Sequence, residues 1–444
     1  MDDLFISLPE SNLPIFYLEG ERDVLFYTPG YLVRVEKQNW RQTIRMSDAW
    51  RQLERKAIKA LEKPSLRTSE FKPLSLNVYL NRHCNLECIY CFTKSTHKNK
   101  PLMALSTDAI IAAAQIVIKN CKEMNKPMVL VMHGGGEPTL DNRLEPLVNY
   151  IKDVCSKEDV EIFTYLATNG VMTPAKAEKI CQLFDLIGLS CDGPPNIQNM
   201  HRPLEDKANS SAYIERTVSI LHRHFQAFEV RVTLTKNSWP QMMDIAQYLI
   251  DHIHPDGINV ELAYLTATPL IKANDINTFT ELYLSAQAHC QAAGIPWRGS
   301  AIRPSQHHQQ YCHVLQDTFQ IIPGDVATNC FLDNDSIESK GRGLQISAFD
   351  KQTKKWTFDF KKIHSLRTRL ITNVQICEDC IVSSHCHRSC PNICPFDNHS
   401  TLPDIHCQLN QHLFNKILIR AGDELSEYCE QHSQLIHSKD IIAC

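Results

Sequence analysis

From residue 74 onward, short apolar runs of strand length alternate with longer segments whose apolar positions return at helical spacing. Strand-like runs fall at 74–80, 128–133, 161–167, 186–190, 228–235 and 257–265. Helical patterning falls at 106–121, 141–153, 174–184, 209–225, 239–253 and 275–293. Thr107-Asp108 supplies a start signal for the first helix, and Asn237-Ser238 ahead of Pro240 supplies another. Six successive strand–helix units predict a parallel sheet joined by right-handed crossovers. In such folds the ligand-holding loops gather at the C-terminal ends of the strands.

The flanks read differently. Residues 1–70 hold three short β-like runs, Pro14–Leu18, Val24–Tyr27 and Tyr31–Val35, then an amphipathic helix over about 47–61 that stops near Pro64. They form either the start of a winged-helix module that holds a leader peptide or a cap packed on the barrel. Residues 296–345 are rich in Gln, His, Gly, Asn and Asp, with scattered apolar positions, and such a stretch needs cross-linking to be ordered. Residues 408–444 look helical, with Leu413, Ile417, Leu418, Leu425 and Leu435 as packing positions. The expected organisation is therefore 1–70, 71–295 and 296–444.

Composition narrows the function. A net charge of −4 gives no basic field, so nucleic acid is not an expected partner. The acidic start Met1-Asp2-Asp3-Leu4 lacks a signal peptide's basic and apolar regions, and no apolar run reaches membrane-spanning length. A cytoplasmic protein without a membrane partner is expected. The 18 cysteines then point to metal or redox chemistry rather than to a disulfide scaffold. Eight lie between Cys312 and Cys407, and five of those crowd into Cys377–Cys394.

Cys84-Asn85-Leu86-Glu87-Cys88-Ile89-Tyr90-Cys91 places three thiols at C-x3-C-x2-C spacing after the first strand of the alternating block. Three thiolates hold three irons of a 4Fe–4S cube and leave one iron for a small molecule. His133-Gly134-Gly135-Gly136-Glu137-Pro138 follows the second strand, Ala167-Thr168-Asn169-Gly170 ends the third, and Leu189-Ser190-Cys191-Asp192-Gly193-Pro194 ends the fourth, with Arg202 beyond it. These segments, in this order, resemble the motifs of the radical S-adenosylmethionine (SAM) superfamily. The resemblance implies a partial (β/α)6 barrel, a 4Fe–4S cluster on Cys84, Cys88 and Cys91, and SAM as cofactor. It implies SAM contacts from Tyr90, Gly135, Gly136, Glu137, Asn169, Ser190 and Arg202. Reductive cleavage of SAM would give a 5′-deoxyadenosyl radical, with the electron supplied by a flavodoxin or ferredoxin-type partner.

The second group of cysteines, Cys312, Cys330, Cys377-x2-Cys380-x5-Cys386-x3-Cys390 and Cys407, resembles the SPASM domain, a C-terminal extension with two auxiliary 4Fe–4S clusters. Its first part departs by one residue, with five rather than four between Gly324 and Cys330. The resemblance implies one cluster on Cys377, Cys380, Cys386 and Cys407, and a second on Cys312, Cys330 and Cys390. Cys394 is a candidate fourth ligand for the second, and Thr318 stands where some relatives carry a further cysteine. Three 4Fe–4S clusters in all are expected; the alternative is structural zinc, which also suits C-x2-C pairs. Cys121, Cys155, Cys181, Cys191 and Cys290 read as small core residues, and Cys429 and Cys444 as thiols without a role.

The fold class expected is α/β: a partial (β/α)6 radical SAM barrel with an N-terminal α+β module and a C-terminal cysteine-rich SPASM domain. A radical generator beside auxiliary clusters implies net oxidation of a substrate, and enzymes of this layout mostly act on peptides. Glu261 and Tyr264 on the sixth strand are candidate substrate contacts, whereas Asp192 sets a turn more readily than it acts as a base. Phe331 stands where sulfatase-maturating relatives carry an aspartate, with Asp333 two residues later. That favours the branch that cross-links ribosomally made precursor peptides, and among those the maturases of the darobactin type. Sulfatase maturation and a non-catalytic iron–sulfur or zinc peptide-binding protein remain the alternatives.

Overall fold

The computed structural model describes residues 5–9, 11–37, 47–61, 70–91, 104–263, 271–299, 302–304, 318–328, 344–371, 377, 379–386, 405–431 and 441–443. Its strands make two sheets.

The first sheet begins with β1 (Ile6–Ser7), β2 (Phe16–Glu19), β3 (Asp23–Thr28) and β4 (Tyr31–Glu36), all antiparallel. Alternation in β3 and β4 divides its faces. Val24, Phe26, Val33 and Val35 pack with Trp50, Leu53 and Ala57 of α1 (Asp48–Leu61). The other face carries Leu25, Tyr27 and Leu32 into the main core.

The second sheet is built on β5 (Ser75–Val78), β6 (Met128–Met132), β7 (Ile162–Thr168), β8 (Leu186–Ser190), β9 (Phe228–Leu234) and β10 (Gly257–Leu262), parallel and in sequential order. The intervening helices are α2 (Thr107–Met124), α3 (Leu144–Lys157), α4 (Pro174–Leu183), the short α5 (Pro195–His201), α6 (Ser211–Arg223) and α7 (Met242–Tyr248), with α8 (Ile276–Ala292) after β10. This is the β/α alternation that the apolar pattern predicts. Ser106 caps α2 by accepting from the Ala109 amide, and Thr173 does the same for α4 from Lys176.

Alternation in β9 turns Phe228, Val230, Val232 and Leu234 into the helix-packed layer and leaves Glu229, Arg231 and Thr233 on the other face. Tyr79, just past β5, acts electrostatically on Arg231, although three strands separate β5 from β9 in the sheet. The sheet is therefore curled around a polar interior.

The sheet also extends at both ends. β11 (Trp297–Gly299) pairs parallel with β10, and β12 (Thr318–Ile322) pairs parallel with β5. β13 (Val326–Thr328), β14 (Gln345–Asp350) and β15 (Lys355–Phe358) continue it antiparallel. Cross-linking is thus not what orders Thr318–Ile322. All five of its residues are buried, four of them pair with β5, and Ser75 donates to the Thr318 hydroxyl at 3.1 Å.

After α9 (Phe360–Ile371), α10 (Ile405–Gln431) lies under the first sheet. The Phe5 amide donates to Asn415 at 2.8 Å, Arg34 donates to the Gly422 carbonyl at 3.0 Å, and Tyr27 meets Phe414 edge-on. The C-terminal segment is not helical throughout, because β16 (Ile441–Ala443) adds to the open edge of β4. Residues 1–70 are thus a sheet held between α1 and α10, with α1 the one helix among the described residues of that stretch. Among the described residues, no helix is long and apolar enough to cross a membrane.

Candidate radical SAM site

The loop carrying Cys84, Cys88 and Cys91 leaves the C-terminal end of β5 and is clamped from two sides. On one side the Glu137 amide donates to the His83 carbonyl at 2.7 Å. A Cβ on Gly136 would lie 2.1 Å from that same carbonyl oxygen, so glycine is required for the two loops to meet. On the other side the Glu87 and Ile89 amides donate to the Pro203 and His201 carbonyls, and Leu86 bridges Leu204. The segment around Arg202 is therefore physically the second wall of the cysteine loop.

Asn169, at the end of β7, buttresses the loop from behind. Its side-chain amide donates to Asn85 at 2.8 Å and sits 3.7 Å from the Cys84 sulfur. Glu137 is buried and accepts from the Thr139 amide and hydroxyl, the Thr168 hydroxyl and the Asn169 amide. Burial pushes its carboxyl up, against those four donors. The Glu137 side chain is thus committed to tying β6 to β7.

Burial drives the Cys84 thiol up to about 12, and nearby Glu137, Cys88 and Cys91 add to the rise. Cys88 rises to about 11 through burial, opposed by Arg202. Cys88 and Cys91 thus lie close enough to Cys84 to oppose its ionisation. Yet among the described residues no three His, Cys, Asp or Glu side chains close around a single ion.

Asp192, just past the end of β8, is not free to act as a base. Its carboxylate accepts from the Tyr90 hydroxyl, from His201 at 3.1 Å, from Arg202 at 3.1 and 3.3 Å, and from the Thr233 amide at 2.9 Å. Although burial raises it, Arg202 and His201 more than compensate and hold the carboxyl at about 2. Arg202 also lies over the Tyr90 ring, 5.2 Å from its centroid. Tyr90 and Arg202 are thus fixed together beside Cys88, and Ser190 pairs with Arg231 across β8 and β9.

Inside the curled sheet, Glu261 is not a free carboxylate either. It binds Arg231 at 2.6 Å, and Arg231 also hydrogen-bonds Tyr165 on β7. The Tyr165 hydroxyl lies where a Cβ on Gly188 would be, 1.7 Å away, so β8 must carry glycine for the phenol to reach Arg231. Apolar patterning alone does not mark Tyr165, Gly188 and Arg231; the alternation of polar residues in β9 marks Arg231.

In the C-terminal part, Cys380 and Cys386 lie on one turn facing Cys407 on α10, whose neighbours Gln411 and Asn410 reach their sulfurs at 3.2 and 3.6 Å. Cys312, Cys330, Cys390, Cys394 and Tyr264 lie outside the described residues. Cys121, Cys155, Cys191 and Cys290 are buried in the core, and Cys181 is partly so.

A partial β/α barrel with a three-cysteine loop, a glycine turn and an asparagine at its strand ends is the arrangement expected of a radical SAM protein. Residues 78–249 match the family described as the radical SAM superfamily, so the chain carries a radical SAM domain. Among curated relatives, a cysteine-type anaerobic sulfatase-maturating enzyme of Clostridium perfringens is 26% identical over 180 residues, covering 40% of this chain and 48% of the relative. A GTP 3′,8-cyclase of Limosilactobacillus fermentum is 22% identical over 230 residues, covering 50% and 63%. The chain thus spans roughly half to two thirds of these relatives' lengths. Among solved structures, native anSMEcpe with bound AdoMet superposes with a TM-score of 0.63 at 17% identity, covering 79% of this chain and 100% of that one. Streptococcus suis SuiB bound to precursor peptide SuiA gives 0.54 at 13%, covering 82% of each. At these identities the structural likeness concerns the fold.

Proposed function

We propose that the chain is a radical SAM enzyme that oxidises a peptide substrate. The observation that carries this reading is the clamped loop of Cys84, Cys88 and Cys91 at the strand ends, backed by Asn169 and walled by Arg202 and Tyr90. When bound there, a 4Fe–4S cluster and SAM supply a 5′-deoxyadenosyl radical, given an electron from a flavodoxin or ferredoxin-type donor. The backbone of Gly135 and Gly136, together with Ser190, lines the mouth where SAM would lie. Asp192 keeps Arg202 and Tyr90 oriented towards it. Deeper in the barrel, Arg231 is presented by Glu261 and Tyr165, and its remaining donors suit a carbonyl or carboxylate oxygen of the substrate. Holding the substrate there keeps one C–H bond close to the radical and away from water.

Net oxidation also needs an acceptor for a second electron. Cys377, Cys380, Cys386 and Cys407 supply ligands for one auxiliary cluster, and Cys312, Cys330 and Cys390, with Cys394 available, supply them for another. The substrate we favour is a ribosomally made precursor peptide that gains a carbon–carbon or ether cross-link, in antibiotic biosynthesis. Phe331 in place of the expected aspartate and a dedicated N-terminal sheet support that choice. A second reading, formylglycine formation on a sulfatase, is supported by the sequence likeness to the clostridial enzymes.

Anaerobic reconstitution with dithionite and SAM should release 5′-deoxyadenosine, and the Cys84→Ala/Cys88→Ala/Cys91→Ala protein should release none while retaining iron elsewhere. Intact SAM with the unaltered chain would favour a binding protein, and cleavage persisting in the triple variant would refute the cluster assignment. Co-expression with a precursor peptide separates the two substrates. A cross-link removes two hydrogens per bond, whereas formylglycine made from cysteine also exchanges sulfur for oxygen.

A further inference from the structure

Cys407, Asn410 and Gln411 stand at i, i+3 and i+4 on α10 and so share one face of that helix. Gln411 aims its amide nitrogen at the Cys380 sulfur, 3.2 Å away, and Asn410 aims its own at the Cys386 sulfur, 3.6 Å away. An amide NH2 group only donates. A neutral thiol is a weak acceptor, whereas an iron-bound thiolate carries the charge that such a donor seeks. Two neighbouring amides spent on two sulfurs of one turn therefore match a metal-bound state of those cysteines.

The turn itself is braced. The Ser383 amide donates to the Cys380 carbonyl at 2.9 Å and the Cys386 amide to the Val382 carbonyl at 2.7 Å. Cys386 bridges Ile302 beyond β11, and the Arg303 amide donates to the His385 carbonyl. His385 is buried, stacked on Phe414 of α10 and hydrogen-bonded to Tyr27 of the first sheet. With the sulfurs fixed on one side and the amides on a helix on the other, the N–H···S contacts hold their geometry in either oxidation state.

We propose that Asn410 and Gln411 set the reduction potential of the auxiliary cluster on Cys377, Cys380, Cys386 and Cys407 by hydrogen-bonding two of its thiolates. This rests on the auxiliary-cluster reading given under Proposed function. Hydrogen bonds to cluster sulfurs stabilise the more negative, reduced state and so raise the potential. The two amides thereby make this cluster a better electron acceptor.

The test uses the full chain with Cys84, Cys88 and Cys91 replaced by Ala, so that only auxiliary iron remains. Its midpoint is followed by electron paramagnetic resonance during potentiometric titration, and the signal lost on Cys407→Ala identifies the cluster. Gln411→Met keeps the side chain's length without a donor, and Asn410→Leu keeps its bulk. Each should lower the midpoint, and the pair should lower it further than either alone. An unchanged midpoint in both variants, with iron and signal retained, overturns the inference and leaves the cluster assignment standing. A parent protein that holds no iron after reconstitution overturns that assignment itself. Gln411→Met and Asn410→Leu act on different sulfurs, so if one fails to fold the other still decides.

Discussion

Replacing Asp192 by Asn removes a negative charge from a carboxylate that solvent does not reach and that four separate groups address. The folded carboxyl sits at about 2 against an ordinary 3.8, a difference worth about 2–3 kcal/mol at ~1.4 kcal/mol per pH unit. That figure compares the charged and neutral carboxyl alone. The variant also strands the buried Arg202, and breaking such a pair costs about 3–5 kcal/mol. An Asn oxygen still accepts from the Thr233 amide, so the lower part of that range, about 3 kcal/mol, is expected. Urea unfolding of wild type and Asp192→Asn at neutral pH measures it. A loss below about 1 kcal/mol would refute the view that Asp192 anchors Arg202. Because the folded carboxyl is depressed, its contribution is fully present above pH 3.8 and disappears as pH falls towards 2. The gap between wild type and variant should therefore narrow over that window; a gap that holds constant there would place the cost elsewhere.

Two further substitutions examine the supports of the cysteine loop. Gly136→Ala puts a methyl group 2.1 Å from the His83 carbonyl oxygen, and overpacking of this kind costs about 1–3 kcal/mol. The strain falls on the loop, so iron retained on Cys84, Cys88 and Cys91 should drop while far-UV circular dichroism stays native; full iron content would contradict the close approach. Glu137→Ala leaves the Thr139 and Asn169 amides and the Thr168 hydroxyl without their acceptor in a buried setting. At about 1–3 kcal/mol per stranded donor the loss should exceed ~3 kcal/mol in urea unfolding, and a smaller loss would mean water replaces the carboxylate.

The N-terminal sheet and the C-terminal cysteine turn meet although they lie far apart in the chain. Tyr27 belongs to the sheet formed by residues near the N-terminus, while its partner His385 directly precedes Cys386. An N-terminal sheet that met only the barrel would have no such contact with the cysteine turn. Here the sheet, α10 and the Cys380–Cys386 turn form one packed unit through Tyr27, His385 and Phe414.

What the sequence determined by itself was local. Alternation between period two and helical spacing fixed β5–β10 and their helices other than the short α5 to within a few residues, because side-chain burial follows those periods directly. Cysteine spacing marked the loop after β5, and resemblance to family motifs singled out Gly136, Asn169 and Ser190 at or shortly beyond strand ends. What only the tertiary structure decided depended on partners far along the chain. β12 read as part of a polar stretch until its pairing with β5 buried it, and β16 became a strand only through the open edge of β4. Asp192 showed its role only when Tyr90, His201 and Thr233 arrived from three other elements. Arg231 likewise acquired a place once a glycine at 188 let Tyr165 cross β8. Periodicity states which face of an element is buried; it carries no information about which distant residue will cover that face.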